Sequence, residues 1–105
     1  MSEPLVRSRT LGDFRLHAYR AESTGEERLR TLLHDLPVEI REAGLLLVIR
    51  TLPGSAHPIA AALDRARWPE VAGSIAGDDT VFVALTDRSA LQRVKRRLLH
   101  LAGEP

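Results

Sequence analysis

Three stretches of this chain hold the residue types best suited to chemistry: Thr51-Leu52-Pro53-Gly54-Ser55-Ala56-His57, then Asp64, then Ser74-Ile75-Ala76-Gly77-Asp78-Asp79-Thr80. Gly77-Asp78-Asp79 reads first as a hairpin turn, since Gly and Asp accept left-handed backbone angles more readily than most residues. Adjacent carboxylates at a turn also make a negative pocket suited to a cation. His57 and Asp64 are seven residues apart, two helical turns, and so share one helix face. If that face abuts the acidic turn, three carboxylates and one imidazole converge. Such a cluster could serve three chemistries. General acid–base work needs a cleft, and there is little chain from which to build one. A hard divalent metal needs further spaced oxygen ligands, so an Asp-Asp pair is a weak metal signal. An organic cation is the third, with a guanidinium the best geometric match to a carboxylate fork.

The remaining polar residues carry weaker signals. His17, His34 and His100 have no common spacing, which leaves no metal to assign. Trp68 reads as a core anchor. The basic run Arg93, Lys95, Arg96 and Arg97 near the C-terminus reads as a solvated helix face, with nucleic-acid contact as the less favoured use. No nucleophile elbow, phosphate loop or dinucleotide fingerprint is present, and an enzyme is the least expected class.

The elements that must position these residues follow from periodicity. Thr24-Gly25-Glu26-Glu27 has the form of a capping box, and Leu29, Leu32, Leu33 and Leu36 recur at helical spacing up to Pro37. Val38 and Ile40 alternate with Glu39 and Arg41 as a strand with one wet face, and Glu42-Ala43-Gly44 is expected to turn the chain. Leu45–Ile49 is apolar throughout. Ser55 is the expected N-cap of a helix to about Arg67 with Pro58 in its first turn, burying Ile59, Ala62, Leu63 and Ala66. Strands are expected at Val71–Ala76 and Thr80–Leu85, and a last helix from near Ser89 that buries Leu91, Val94, Leu98 and Leu101. Residues 1–23 are polar, with a weak hairpin pattern at Val6–Arg9 and Phe14–Tyr19. The expected class is α+β: an antiparallel sheet of about four strands, helices on one face, in the order α-β-β-α-β-β-α after a short N-terminal arm.

Composition narrows the function further. The 105 residues suit one small domain, net charge is +1, and there are no cysteines for disulfides, thiolate metal sites or cysteine nucleophiles. No apolar run approaches a membrane span and Met1-Ser2-Glu3-Pro4 does not resemble a signal peptide, so a cytoplasmic protein without a membrane partner is expected. Leu45–Ile49 and Val81–Leu85 are apolar at every position. Continuously apolar strands are covered on both faces, whereas three short helices cover only one. Either the N-terminal arm or, as the pattern favours, another copy of the protein is expected to cover the second.

From Leu47 to Leu85 the chain resembles the C-terminal domain of bacterial arginine repressors. The resemblance lies in Arg50-Thr51-Leu52-Pro53-Gly54-Ser55-Ala56-His57, Trp68-Pro69-Glu70-Val71 and Gly73-Ser74-Ile75-Ala76-Gly77-Asp78-Asp79-Thr80. It implies a domain that forms trimers, hexamers built from two trimers, and L-arginine as co-repressor bound where the trimers meet, controlling genes of arginine metabolism. By position, it implies that Asp78 and Asp79 hold the ligand's cationic groups and that His57, Asp64, Ser74 and Ala76 complete the pocket. It divides the chain into an arm at 1–23, a linker helix at 24–36 and an arginine-binding oligomerisation domain at 37–105. Family members also carry a winged-helix domain that reads DNA. The twenty-three residues before Thr24 are too few for it, and the two short strands there resemble its wing. Operator DNA is therefore an expected partner only if a winged-helix domain is supplied. The alternative is an oligomerisation module that acts through partner subunits or no longer senses arginine.

Overall fold

The computed structural model describes residues 25–103. Helix α1 (residues 25–35) buries Leu29 and Leu33 completely, while Leu32 and Leu36 pack on the core margin, as their spacing predicts. Gly25 lies against the end of the next helix: a Cβ there would come within 2.6 Å of the Ala66 amide nitrogen. Only a glycine permits that approach. The expected Thr24 cap and the hairpin pattern at 6–19 lie outside the described residues.

Strands β1 (Glu39–Ala43) and β2 (Leu46–Arg50) pair antiparallel, with Ala43 opposite Leu46. The turn is therefore Gly44-Leu45, beginning two residues later than the expected Glu42-Ala43-Gly44. Gly44 adopts φ +62°, which a two-residue hairpin turn opened by glycine requires. Glu42 stays in the strand because α3 holds its carboxylate from above. Helix α2 (Ala56–Ala66) follows, with Ile59, Ala62, Leu63 and Ala66 inward. Ser55 is its N-cap residue, but its side chain makes no capping bond. Its amide instead closes a turn on the Leu52 carbonyl at 3.0 Å. Arg67 ends the helix in the left-handed region, φ 56°.

Strands β3 (Val71–Ala76) and β4 (Thr80–Leu85) occupy the expected ranges, and α3 (Arg88–Leu101) closes the fold. The N-cap of α3 is Asp87, whose carboxylate accepts the Ala90 amide at 2.7 Å, two residues ahead of the expected start. The sheet order is β1-β2-β4-β3, antiparallel throughout, with an irregularity between Val71 and Gly73 on edge strand β3.

The three helices cover one face. Leu47, Ile49, Val81, Val83 and Leu85 point into them and pack with Leu29, Ile59, Leu63, Leu91, Val94 and Leu98. Alternate residues point the other way. There Ile75 is 75% and Phe82 48% exposed, with Leu46, Val48 and Ala84 between them half-buried. No described residue covers that face, and the surplus of apolar surface expected from β2 and β4 is thus present.

Candidate functional site

Helix α2 and edge strand β3 lie side by side, with the β3–β4 turn at one end of the strip between them. At the far end, the Ser74 hydroxyl donates to Asp64 Oδ1 at 2.9 Å. His57 projects exposed from the first turn of α2, about 10 Å along the helix axis from Asp64. Ala76 is half-buried at the end of β3, next to the turn.

The turn itself departs from its simplest reading. Among the described residues, left-handed φ occurs at Arg67, Gly44, Gly54 and Gly103, and not at Gly77, Asp78 or Asp79. A Cβ on Gly77 would meet only the Thr80 carbonyl oxygen, at an ordinary 3.8 Å. The backbone therefore does not demand this composition. The carboxylates make contacts instead. Asp78 Oδ1 accepts the Gly54 amide at 3.0 Å, and the same amide reaches the Asp78 carbonyl at 2.9 Å. The Thr51 amide donates to the Asp79 carbonyl at 2.9 Å. The loop before α2 and the acidic turn are thus latched together, which fixes His57 relative to Asp78. Asp64, Asp78, Asp79 and His57 do not converge on one point: they line a strip, with Asp64 bound to Ser74 at one end and the turn at the other.

Asp79 faces different neighbours. Its Oδ1 accepts the Thr80 hydroxyl at 2.7 Å, and its Oδ2 lies 3.5 Å from Arg50 Nη2. The Thr80 hydrogen bond holds the Asp79 carboxyl below its ordinary value of 3.8, helped by the Arg50 charge and opposed by partial desolvation. Asp79 is therefore ionised at neutral pH. Beside it an apolar notch of about 240 Å³ is formed by Ile75, Ala76, Gly77, Thr80 and Phe82. An acid beside an apolar notch suits a cation carried on an aliphatic stem. Gly54 and Thr80 lie inside the stretches picked out by type and spacing but had no role assigned there, and Arg50 was not picked out on those grounds at all. Arg50 comes to the site because β2 pairs with β4 so that it stands opposite Thr80, thirty positions on.

The chain matches the family model for the C-terminal domain of the arginine repressor over residues 33–100. The chain belongs to the arginine repressor family. It is 42% identical over 79 residues to the arginine repressor of Desulforudis audaxviator, covering 75% of this chain and 53% of that protein. Against the arginine repressor of Heliobacterium modesticaldum it is 45% identical over 67 residues, 64% of this chain and 44% of the relative. Against that of Moorella thermoacetica the identity is 43% over 74 residues, 70% and 49% of the two chains. The chain spans about half the length of the curated relatives it matches.

Among the described residues no three His, Asp or Glu side chains group as a metal site, and no helix is long and apolar enough to cross a membrane. The basic run of α3 is largely spent within the fold. Arg93 and Arg97 meet Glu70 at 3.3 and 3.7 Å, and Lys95 meets Glu42 at 2.8 Å. Those three cations tie α3 to β1 and to the turn before β3.

Proposed function

We propose that residues 37–105 form the arginine-sensing and oligomerising part of a transcription regulator, with the segment 24–36 as its linker. The ligand is L-arginine, held along the α2–β3 strip by Asp78 and Asp79, with His57, Asp64, Ser74 and Ala76 completing the pocket. The observation that carries this reading is the acidic turn: two adjacent carboxylates stand where the backbone angles do not call for them. The relatives are named as repressors, which supports it.

The assembly follows from two surfaces. The open sheet face around Ile75 and Phe82 packs against other copies as a trimer, since a cyclic interface hides a sheet's second face. Two trimers then meet at their acidic turns. Without ligand the carboxylates of Asp78 and Asp79 repel their counterparts. Arginine brings a guanidinium and an α-amino group, which form charge-assisted hydrogen bonds of about 1.5–3 kcal/mol each before ordering costs. A ligand touching both trimers stabilises the hexamer, and assembly tightens arginine binding by the same factor. Operator DNA is a partner through a winged-helix domain supplied in addition to these residues.

The test is sedimentation mass and melting temperature with L-arginine, citrulline and lysine. Arginine is expected to raise both mass and melting temperature. Citrulline keeps the shape but lacks the guanidinium charge, so an equal response to the two would falsify recognition by carboxylates. Phe82→Asp is expected to reduce the assembly to monomers whether or not arginine is present. A second reading draws on the Arg50–Asp79 contact, which already gives the turn a guanidinium from its own chain. In that reading the domain assembles but no longer responds to arginine, and its mass stays constant across the titration.

A further inference from the structure

Accepting that an amino acid binds along the α2–β3 strip, its positive groups have partners but its carboxylate does not. His57, Asp64, Ser74, Ala76, Asp78 and Asp79 supply acids, a hydroxyl, a methyl group and an imidazole. A ligand carboxylate set among three aspartates is desolvated and repelled unless a cation meets it. We propose that Arg50 is that cation: it binds the α-carboxylate of the ligand and selects amino acids over their decarboxylated amines.

Three observations place it there. Arg50 stands opposite Thr80 in the β2–β4 ladder, and its Nη2 donates to Asp79 Oδ2 at 3.5 Å, so its guanidinium is already at the turn. That contact is long, and the two side chains are 57% and 39% exposed. An exposed pair of this kind is weak, and a guanidinium has five N–H donors, so the remaining fork is open to a carboxylate. A hollow of about 480 Å³, walled by Pro37, Val38, Glu39, Thr51 and Leu52, opens beside Arg50 on its β1 side, so the guanidinium is reachable from outside the fold, although no residue of the strip lines that hollow. A nearby cation, Arg41, is placed elsewhere and pairs with Glu39 at 2.9 Å. Asp79 and Arg50 together then form a two-pole receptor, acid for the ammonium or guanidinium and guanidinium for the carboxylate.

The experiment is calorimetric titration of the full chain with L-arginine and with agmatine, which is arginine without its carboxylate. Wild-type protein is expected to prefer L-arginine by about tenfold or more, the size of one charge-assisted contact. Arg50→Gln is expected to weaken L-arginine binding by about tenfold, leave agmatine within twofold of its wild-type value, and so abolish the preference. Arg50→Lys, which keeps the charge but not the fork, is expected to restore part of it. Survival of the preference in Arg50→Gln overturns the proposal, because another group then holds the carboxylate. Tighter binding of both ligands by Arg50→Gln also overturns it, since Arg50 would then merely occupy Asp79. Equal wild-type affinity for the two ligands overturns it while leaving the strip as an arginine site. If wild-type protein binds neither, the reading of the strip fails and this proposal with it.

Discussion

Glu42 and Glu70 lie beneath α3, and each is met by two cations. Lys95 at 2.8 Å and Arg88 at 3.1 Å reach Glu42, while Arg93 and Arg97 flank Glu70. Asp64, Asp78 and Asp79 line the α2–β3 strip, and Arg50 touches Asp79 there. Their other partners are neutral: the Ser74 and Thr80 hydroxyls and the Gly54 amide. The difference teaches how to tell structural acids from receptive ones in a chain whose net charge is only +1. Where charge is matched within the protomer, the acid fixes one element on another. Where acid outnumbers base, the site has capacity for a cation from outside.

The comparison breaks most visibly at Trp68, the anchor of the charge-matched region. Its ring is buried, its indole N–H donates to Glu26 at 3.0 Å, and the Arg97 guanidinium stacks 4.6 Å from its centre. Trp68→Ala removes all three and is expected to cost about 3–5 kcal/mol, read as a shift in the urea midpoint. Trp68→Phe keeps the packing and loses mainly the bond to Glu26, for about 1 kcal/mol. Equal losses in the two variants would mean that the bond to α1, rather than the buried ring, holds this region together.

The charge-starved region is expected to behave in the opposite way. Asp79→Asn keeps the shape of the side chain and its bond from Thr80 while removing the charge. It is expected to leave the melting temperature without ligand nearly unchanged and to abolish the rise caused by arginine. For wild-type protein that rise corresponds to about 2.7 kcal/mol at a ligand concentration one hundred times Kd. Glu42→Gln is the reciprocal control: it lowers the melting temperature and preserves the arginine-induced rise. If Asp79→Asn unfolds the domain instead, the turn is structural and the distinction between the two regions collapses.

Most of the fold was legible because it is written in local periodicity. Leu29 and Leu33 in α1, Ile59, Ala62 and Leu63 in α2, and Leu91, Val94 and Leu98 in α3 are buried as their spacing requires. The strands β3 and β4 begin and end where the turn residues between them predict. Local caps were less legible. A serine at position 55 and an aspartate at 87 are both good N-cap types, yet only Asp87 uses its side chain. The choice depends on how the preceding loop is held, and the loop at 51–54 is held by the acidic turn some twenty-five residues later. Glu42 was misplaced into a turn for a related reason: its partners Gln92 and Lys95 lie in another element. The candidate site was legible in type but not in arrangement. Asp64, Asp78 and Asp79 stand out as acids near apolar runs, whereas Arg50 enters only through strand pairing, which no local pattern encodes.

Acid titration gives the smallest effect and sharpens the same comparison. Glu42 is held below its ordinary value of 4.5, chiefly by its hydrogen bond from Lys95 and then by that from Gln92. Glu70 is likewise lowered, first by its own backbone amide and then by Arg93, and Asp79 is lowered chiefly by Thr80. Each of these groups prefers to be ionised in the folded chain. Its contribution to stability is therefore complete above the ordinary carboxylate range, and it is lost as pH falls through that range and below the depressed folded value. Wild-type stability without arginine is expected to be level from neutral pH to about 5 and to decline below that, as followed by urea unfolding at each pH. Glu42→Gln starts lower and declines less, because it has no charge at that position to lose. Asp79→Asn is expected to follow the wild-type decline closely, since two matched acids under α3 remain to titrate. Should Asp79→Asn flatten the acid decline more than Glu42→Gln does, the turn holds more of the folded state's charge energy than α3 does, and the assignment of structural and receptive acids is reversed.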